Sequence, residues 1–102
     1  MRKLIFSPAA IIDLDNIYDY TFETWGLDQA ESYVRELHAV CHDMAAGKIK
    51  GRIADVIRRG YFRKSCGLHI IFYRNPNPKT MEVVRILHQR MDIEAHLSVS
   101  LL

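Results

Sequence analysis

At 102 residues, 49% apolar and 25% charged, the chain has the length and composition of one folded domain, which excludes an extensively disordered protein. Fourteen lysines and arginines against 12 acids leave a net charge of +2, too near neutral to identify a nucleic-acid partner by itself. No apolar run approaches the roughly 20 residues that span a bilayer, and Cys41 and Cys66 follow no signal peptide, so the expected setting is a reducing cytoplasm with both thiols free.

Lys3–Phe6 is short, apolar and stopped by Ser7-Pro8, as a first strand would be. Ser7 then reads as an N-cap with Pro8 at the first helical position. Ile11, Leu14, Tyr18, Thr21 and Trp25 recur at steps of three and four, an amphipathic stripe with Asp13, Asp15, Asp19 and Glu23 mostly off it. Gly26 ends this helix, and Trp25 is expected to close it and pack beneath the sheet. Asp28 is expected to cap a second helix, with Glu31 as its capping-box partner and Gly47 beyond its end. Its stripe is Ala30, Tyr33, Val34, Leu37, Val40, Cys41, Met44 and Ala45. A linker of about three residues would make the pair a helical hairpin.

After Gly51 the period shortens to that of a strand. Ile53–Lys64 reads as one strand bent at Gly60. Leu68–Tyr73, apolar on both faces, reads as a central strand. Asn75–Lys79 is a hairpin loop and residues 80–88 the last strand. Asp92 would cap a short turn through Leu97, and residues 98–102 would be a loose tail of a single domain spanning 1–102. The order is β-α-α-β-β-β, an α+β fold with a helical hairpin packed on a mainly antiparallel sheet.

Charge is unevenly placed. Asp13, Asp15, Asp19, Glu23, Asp28 and Glu31 make an acidic front, whereas Lys48, Lys50, Arg52, Arg58, Arg59, Arg63 and Lys64 face Asp55 alone. That basic middle calls for an anionic partner. The last strand adds Arg85, His88 and Arg90. Regular alternation would put Val83, Arg85 and Leu87 on one face and Val84, Ile86 and His88 on the other. A guanidinium among β-formers needs a carboxylate, an anionic ligand or an open face. Two readings follow. Arg63, Lys64, His69, Arg85, His88 and Arg90 could hold phosphate or carry acid–base chemistry. Alternatively, Arg85 pairs with an acid on the helices, and the histidines only complete hydrogen bonds.

His38 and His42 stand four apart on the second helix, yet no third ligand accompanies them, so no metal site is expected. Neither a Gly-rich phosphate loop nor a Gly-x-Ser-x-Gly elbow occurs, and no cofactor is expected. Cys41 falls on the apolar stripe. Cys66, in a turn beside Lys64 and His69, could have a lowered pKa. Tyr61, Phe62, Phe72 and Tyr73 belong to strands and mostly to the core.

Six pieces together point to a family: Ser7-Pro8-Ala9-Ala10 with Asp13-Leu14; Ile17-Tyr18; Trp25-Gly26 with Gln29-Ala30 and Tyr33; Ile57-Arg58-x-Gly60-Tyr61; Gly67-x-His69-x-Ile71-Phe72-Tyr73-Arg74; and Val84 through Asp92. In this order and spacing the chain resembles the ParE-like toxins of the RelE/ParE superfamily, found in bacterial plasmid-stabilisation systems. The resemblance implies the same fold and a toxin neutralised by a small ParD-like antitoxin. Such an antitoxin carries a ribbon-helix-helix domain, through which alone the complex would touch DNA, and wraps the toxin with an amphipathic segment. ParE-like members poison DNA gyrase, and RelE-like members cut messenger RNA on the ribosome. The resemblance marks Arg58, Arg63, Lys64, His69, Tyr73, Arg90 and Met91 for partner binding, with Trp25, Arg85 and His88 as structural residues. A nuclease would use Lys64, Arg85, Arg90 and His96, the last standing near the place of a family tyrosine that this chain lacks. The wording of Ile86 through Asp92 is that of the gyrase-poisoning branch. The expectation is therefore a gyrase inhibitor rather than an enzyme, with a nuclease or an inactive antitoxin-binding module as alternatives.

Overall fold

Ser7 starts the first helix by local chemistry in the computed structural model, which describes residues 1–91. Its backbone is extended (φ −64°, ψ 158°) and its Oγ accepts from the Ala10 N–H at 3.0 Å, with Pro8 supplying a preset φ. β1 (Lys3–Phe6) thus passes directly into α1 (Pro8–Trp25). Gly26, at φ 94°, both ends α1 and begins α2 (Leu27–Ala45). The joint is one residue, not about three, because a positive φ turns the chain within a single glycine. Asp28 accordingly lies inside the first turn of α2 and makes no capping bond. It still favours the positive end of the helix.

The strands are β2 (Arg52–Ile53), β3 (Tyr61–Cys66), β4 (His69–Asn77) and β5 (Thr80–His88). Ile53–Lys64 is therefore not one strand. Ala54 O accepts from the Ile57 and Arg58 N–H groups, and Asp55 Oδ1 takes the Gly60 N–H at 2.9 Å. Those bonds fold residues 54–60 into a tight turn that splits the expected strand in two. The loop before β5 is also shorter than expected: Asn77 pairs with Thr80, and its Oδ1 accepts from the Lys79 N–H. Pairing is irregular between Arg74 and Asn77, where Pro76 has no N–H to give.

The result is an α+β fold with two helices on a five-stranded mixed sheet, ordered β1-β5-β4-β3-β2. β1 runs parallel to β5 and all other pairs are antiparallel. β4 is central, as its apolar run requires. The helix-side core joins Leu14, Ile17, Leu37, Cys41 and Met44 to Ile71, Tyr73, Met81, Val83 and Ile86. A smaller cluster of Ala54, Tyr61, Ile70, Phe72, Val84 and Leu87 lies on the other face, with Ile57 from the turn packed against it. No helix among the described residues is long and apolar enough to cross a membrane.

Two packing expectations fail. α1 buries Ala10, Asp13, Leu14, Ile17 and Thr21, while Ile11 and Trp25 face outward. Trp25 is 71% exposed and does not pack beneath the sheet. The small Ala10 and the paired Asp13 let α1 approach the sheet closely, so the buried stripe is rotated from the one traced by the larger side chains. Alternation along β5 also breaks. Phe72 pairs with Arg85 and Tyr73 with Val83, leaving Val84 as an inserted residue. This bulge puts Val83 and Ile86 on the helix side and Val84 and Leu87 on the other.

Candidate functional site

The β5 bulge is held by α1. Ser7 Oγ donates to Val84 O at 2.7 Å, and Asp13 Oδ2 accepts the Ile86 N–H at 2.9 Å. Backbone groups displaced from the ladder thus find side-chain partners. The same carboxylate grips Arg85, with Nε to Oδ2 at 2.7 Å and Nη2 to Oδ1 at 2.9 Å. The two side chains retain only 16% and 10% of their exposure. Hydrogen bonding to Asp13 raises the Arg85 pKa above its usual value against the opposing effect of burial. Arg85 is therefore a neutralised structural cation. Asp13 was not visible as its partner from the helical stripe, because it stood one position off the stripe assumed.

His69 and His88 face each other across β4 and β5, with ring centroids 5.4 Å apart. The Tyr33 hydroxyl, from α2, lies 2.6 Å from His69 Nδ1 and accepts the Leu68 N–H at 3.2 Å. Burial, then the neighbouring His88, pushes the His69 pKa down to about 4, so the imidazole is neutral at pH 7, and the Tyr33 hydroxyl donates to Cys66 O at 3.1 Å. His88 Nδ1 accepts the Arg90 N–H. Cys66 is not an exposed turn thiol: it is buried at the end of β3, and desolvation pushes its pKa up, not down. Tyr73 is buried too, its hydroxyl accepting from Gly51 N at 2.9 Å. Gly51 has no room for a Cβ, which would lie 2.6 Å from that oxygen.

The sheet edge is different. Arg52 on β2 stands directly opposite Arg63 on β3. Like charges facing each other across strands destabilise the pair. Lys50 and Lys64 join them around a cleft of about 600 Å³ whose lining contains no acid among the described residues. Arg63 lies over the Phe72 ring, 5.9 Å from its centroid, which fixes the guanidinium on the face away from the helices. Lys64, between helix-side Phe62 and Cys66, points toward the other side. β2 is the last strand of the sheet, and no strand among the described residues pairs with its outer edge.

Arg58 lines a second cavity of about 760 Å³ with Arg59, Tyr61 and Arg74. Arg90 and Met91 are exposed beyond β5, apart from both cavities. His96, Asp92 and the rest of the tail lie outside the described residues. Of the residues marked for partner binding, the structure brings Arg63 and Lys64 around one cleft, sets Arg58 in the neighbouring cavity, buries Tyr73 and leaves His69 half-buried against Tyr33. Sequence reasoning missed Arg52 as a site residue, since only the strand register sets it against Arg63. No group of three or more His, Cys, Asp or Glu able to hold a metal occurs among the described residues.

Comparison with known proteins covers nearly the whole chain. The family described as ParE toxin of type II toxin-antitoxin system, parDE, matches residues 4–93. Toxin ParE1 of Mycobacterium tuberculosis is 46% identical over 95 residues, covering 93% of this chain and 97% of that protein. Toxin ParE1 of Caulobacter vibrioides is 38% identical over 97 residues, covering 95% and 99%. A solved structure, the chromosomal ParDE TA system from P. aeruginosa, shares the fold with a TM-score of 0.72 at 23% identity, over 86% of this chain and 96% of that one.

Proposed function

The chain belongs to the ParE toxin family of type II toxin–antitoxin systems, and from that premise we propose that it poisons DNA gyrase and is held inactive by a ParD-like antitoxin. One observation carries the choice of a gyrase poison over a nuclease: Asp13 ties up Arg85 with two charge-assisted bonds on the helix side of the sheet. A nuclease would need Lys64, Arg85 and Arg90 to converge on a scissile phosphate. Arg85 is neutralised, and Arg90 lies beyond the strand, apart from the cleft that Lys64 lines. Binding without chemistry suits such a surface better.

The unopposed cations at the β2 edge suit an acidic, extended antitoxin segment. An added strand would hydrogen-bond to β2, and its alternate carboxylates would meet Arg52 and Arg63. Burying the exposed Ile53 would add apolar area to the same contact. The activity test uses purified toxin with gyrase and relaxed plasmid. Supercoiling should fall and cleaved DNA accumulate, and antitoxin should reverse both. Unchanged supercoiling at a large molar excess of folded toxin would sink the proposal.

A further inference from the structure

The cavity of about 760 Å³ lies between the turn at residues 58–60, the start of α1 and the outer ends of β4 and β5. Three arginines reach it: Arg58, Arg59 and Arg74. The single acid in its lining among the described residues, Glu82, is taken by Arg74 at 2.7 Å. Arg58 and Arg59 form no ion pair among the described residues, so the cavity carries two uncompensated guanidinium charges. The turn that holds them is built before any ligand arrives. Ala54 O accepts from Arg58 N, Arg58 O accepts from Tyr61 N, and Asp55 takes the Gly60 N–H. Arg74 is likewise oriented in advance by Glu82. A turn already folded needs no ordering of its backbone on binding, which lowers the entropic cost of presenting Arg58 and Arg59.

None of the lining residues belongs to an edge strand, β1 or β2. An extended acidic peptide therefore has no backbone to pair with here, unlike at the β2 edge. What remains is planar bidentate donors around an open hollow, the chemistry that recognises phosphate oxygens. We propose that this arginine cavity binds the phosphodiester backbone of a nucleic acid, giving the toxin its own sequence-independent contact with DNA or RNA. The expectation that DNA is touched only through the antitoxin complex would then be incomplete. The inference does not depend on which enzyme the toxin attacks.

Fluorescence anisotropy with a labelled 20-base-pair duplex and a labelled single-stranded RNA tests it on the purified full-length toxin across a salt series. Binding at low salt should weaken as salt rises, with a slope of about −0.9 per phosphate neutralised on duplex DNA. Arg58→Ala with Arg59→Ala should weaken binding by roughly tenfold and make the slope shallower by about 1.8. Arg58→Lys with Arg59→Lys should keep the slope, while Arg35→Ala, exposed on α2, should change nothing. Both arginines are exposed, so circular dichroism of the alanine variant should match that of the parent. The probe held more tightly identifies the natural source of the phosphates. Absence of salt-dependent binding to either probe, an alanine variant that binds like the parent, or displacement of both probes by poly-glutamate at equal charge would overturn the proposal.

Discussion

Replacing Asp13 by Asn removes one charge and leaves the shape nearly intact. Arg85 would then keep a guanidinium that is only 16% exposed, with no carboxylate from α1 beside it. Breaking a buried pair by neutralising one partner costs about 3–5 kcal/mol. The residual exposure lets some water reach the charge, so the lower figure of about 3 kcal/mol applies. In a chain of 102 residues each kcal/mol shifts the midpoint by roughly 4–8 °C, so the loss is about 12–24 °C. Asp13→Ala should cost more, because the Ile86 N–H in the bulge also loses its acceptor, adding about 1–3 kcal/mol. Urea unfolding followed by circular dichroism measures both, and a double-mutant cycle with Arg85→Met isolates the coupling. A loss below about 1 kcal/mol for Asp13→Asn at unchanged m-value would refute the assignment of Arg85 as a structural cation. Equal losses for Asn and Ala would refute the role given to Asp13 in the bulge.

His69 makes stability depend on pH. Its folded pKa of about 4 lies below the unfolded value near 6.5, so the unfolded chain binds the extra proton between them. Stability should be fully present above pH 6.5 and fall as pH drops toward 4. His69→Asn should flatten that part of the profile, and a wild-type profile flat over this window would contradict the burial argument. Gly67→Ala should destabilise by about 2 kcal/mol or more, since φ is +57° and the new Cβ would lie 2.7 Å from the Tyr33 ring. Gly47→Ala, also at positive φ but with nothing within 4 Å, should cost nearer 1 kcal/mol; thermal melts that reverse this order would fault the packing. Arg52→Glu should turn a repulsive cross-strand pair into an attractive one and stabilise the free toxin by about 0.2–1 kcal/mol. The same change should weaken antitoxin binding, measurable by titration calorimetry, and a variant altered in neither would leave the cleft without a role.

Where local chemistry decides, the sequence was legible. Ser7-Pro8 start α1, Gly26 ends it, and Thr80–His88 form the last strand within the expected bounds. Where distant residues decide, it was not. α1 carries two apolar stripes: Ala10, Leu14, Ile17 and Thr21 face the sheet, Ile11, Phe22 and Trp25 recur on the outer side, and Tyr18 is half-buried between them. Periodicity alone cannot choose between them, and the expected stripe mixed the two: Leu14 and Thr21 are buried, whereas Ile11 and Trp25 face outward. The bulge in β5 relies on Ser7 and Asp13, more than 70 positions away in the chain. The split between β2 and β3 rests on the turn bonds to Ala54 O and on the Gly60 N–H donated to Asp55, none of which an alternation pattern records.

The arginines show why residue type alone could not locate the site. Arg85 looked most conspicuous in sequence, since it interrupts a run of β-formers. Its conspicuousness has a structural origin: a charge inside a sheet survives only with a partner, and Asp13 supplies one together with a bond to the bulge. Arg52, Arg58, Arg59 and Arg63 looked ordinary, lying in a polar stretch. Yet none of these four forms an ion pair among the described residues, and Arg52 and Arg63 face each other across the strands. Folding gains nothing from that repulsion, so its free-energy cost is best explained by an anionic partner that removes it. The informative quantity is therefore whether the fold has already neutralised a cation. By that measure the proposed contacts belong at the β2 edge and in the neighbouring arginine cavity, while Arg85 on the last strand is already paired with Asp13.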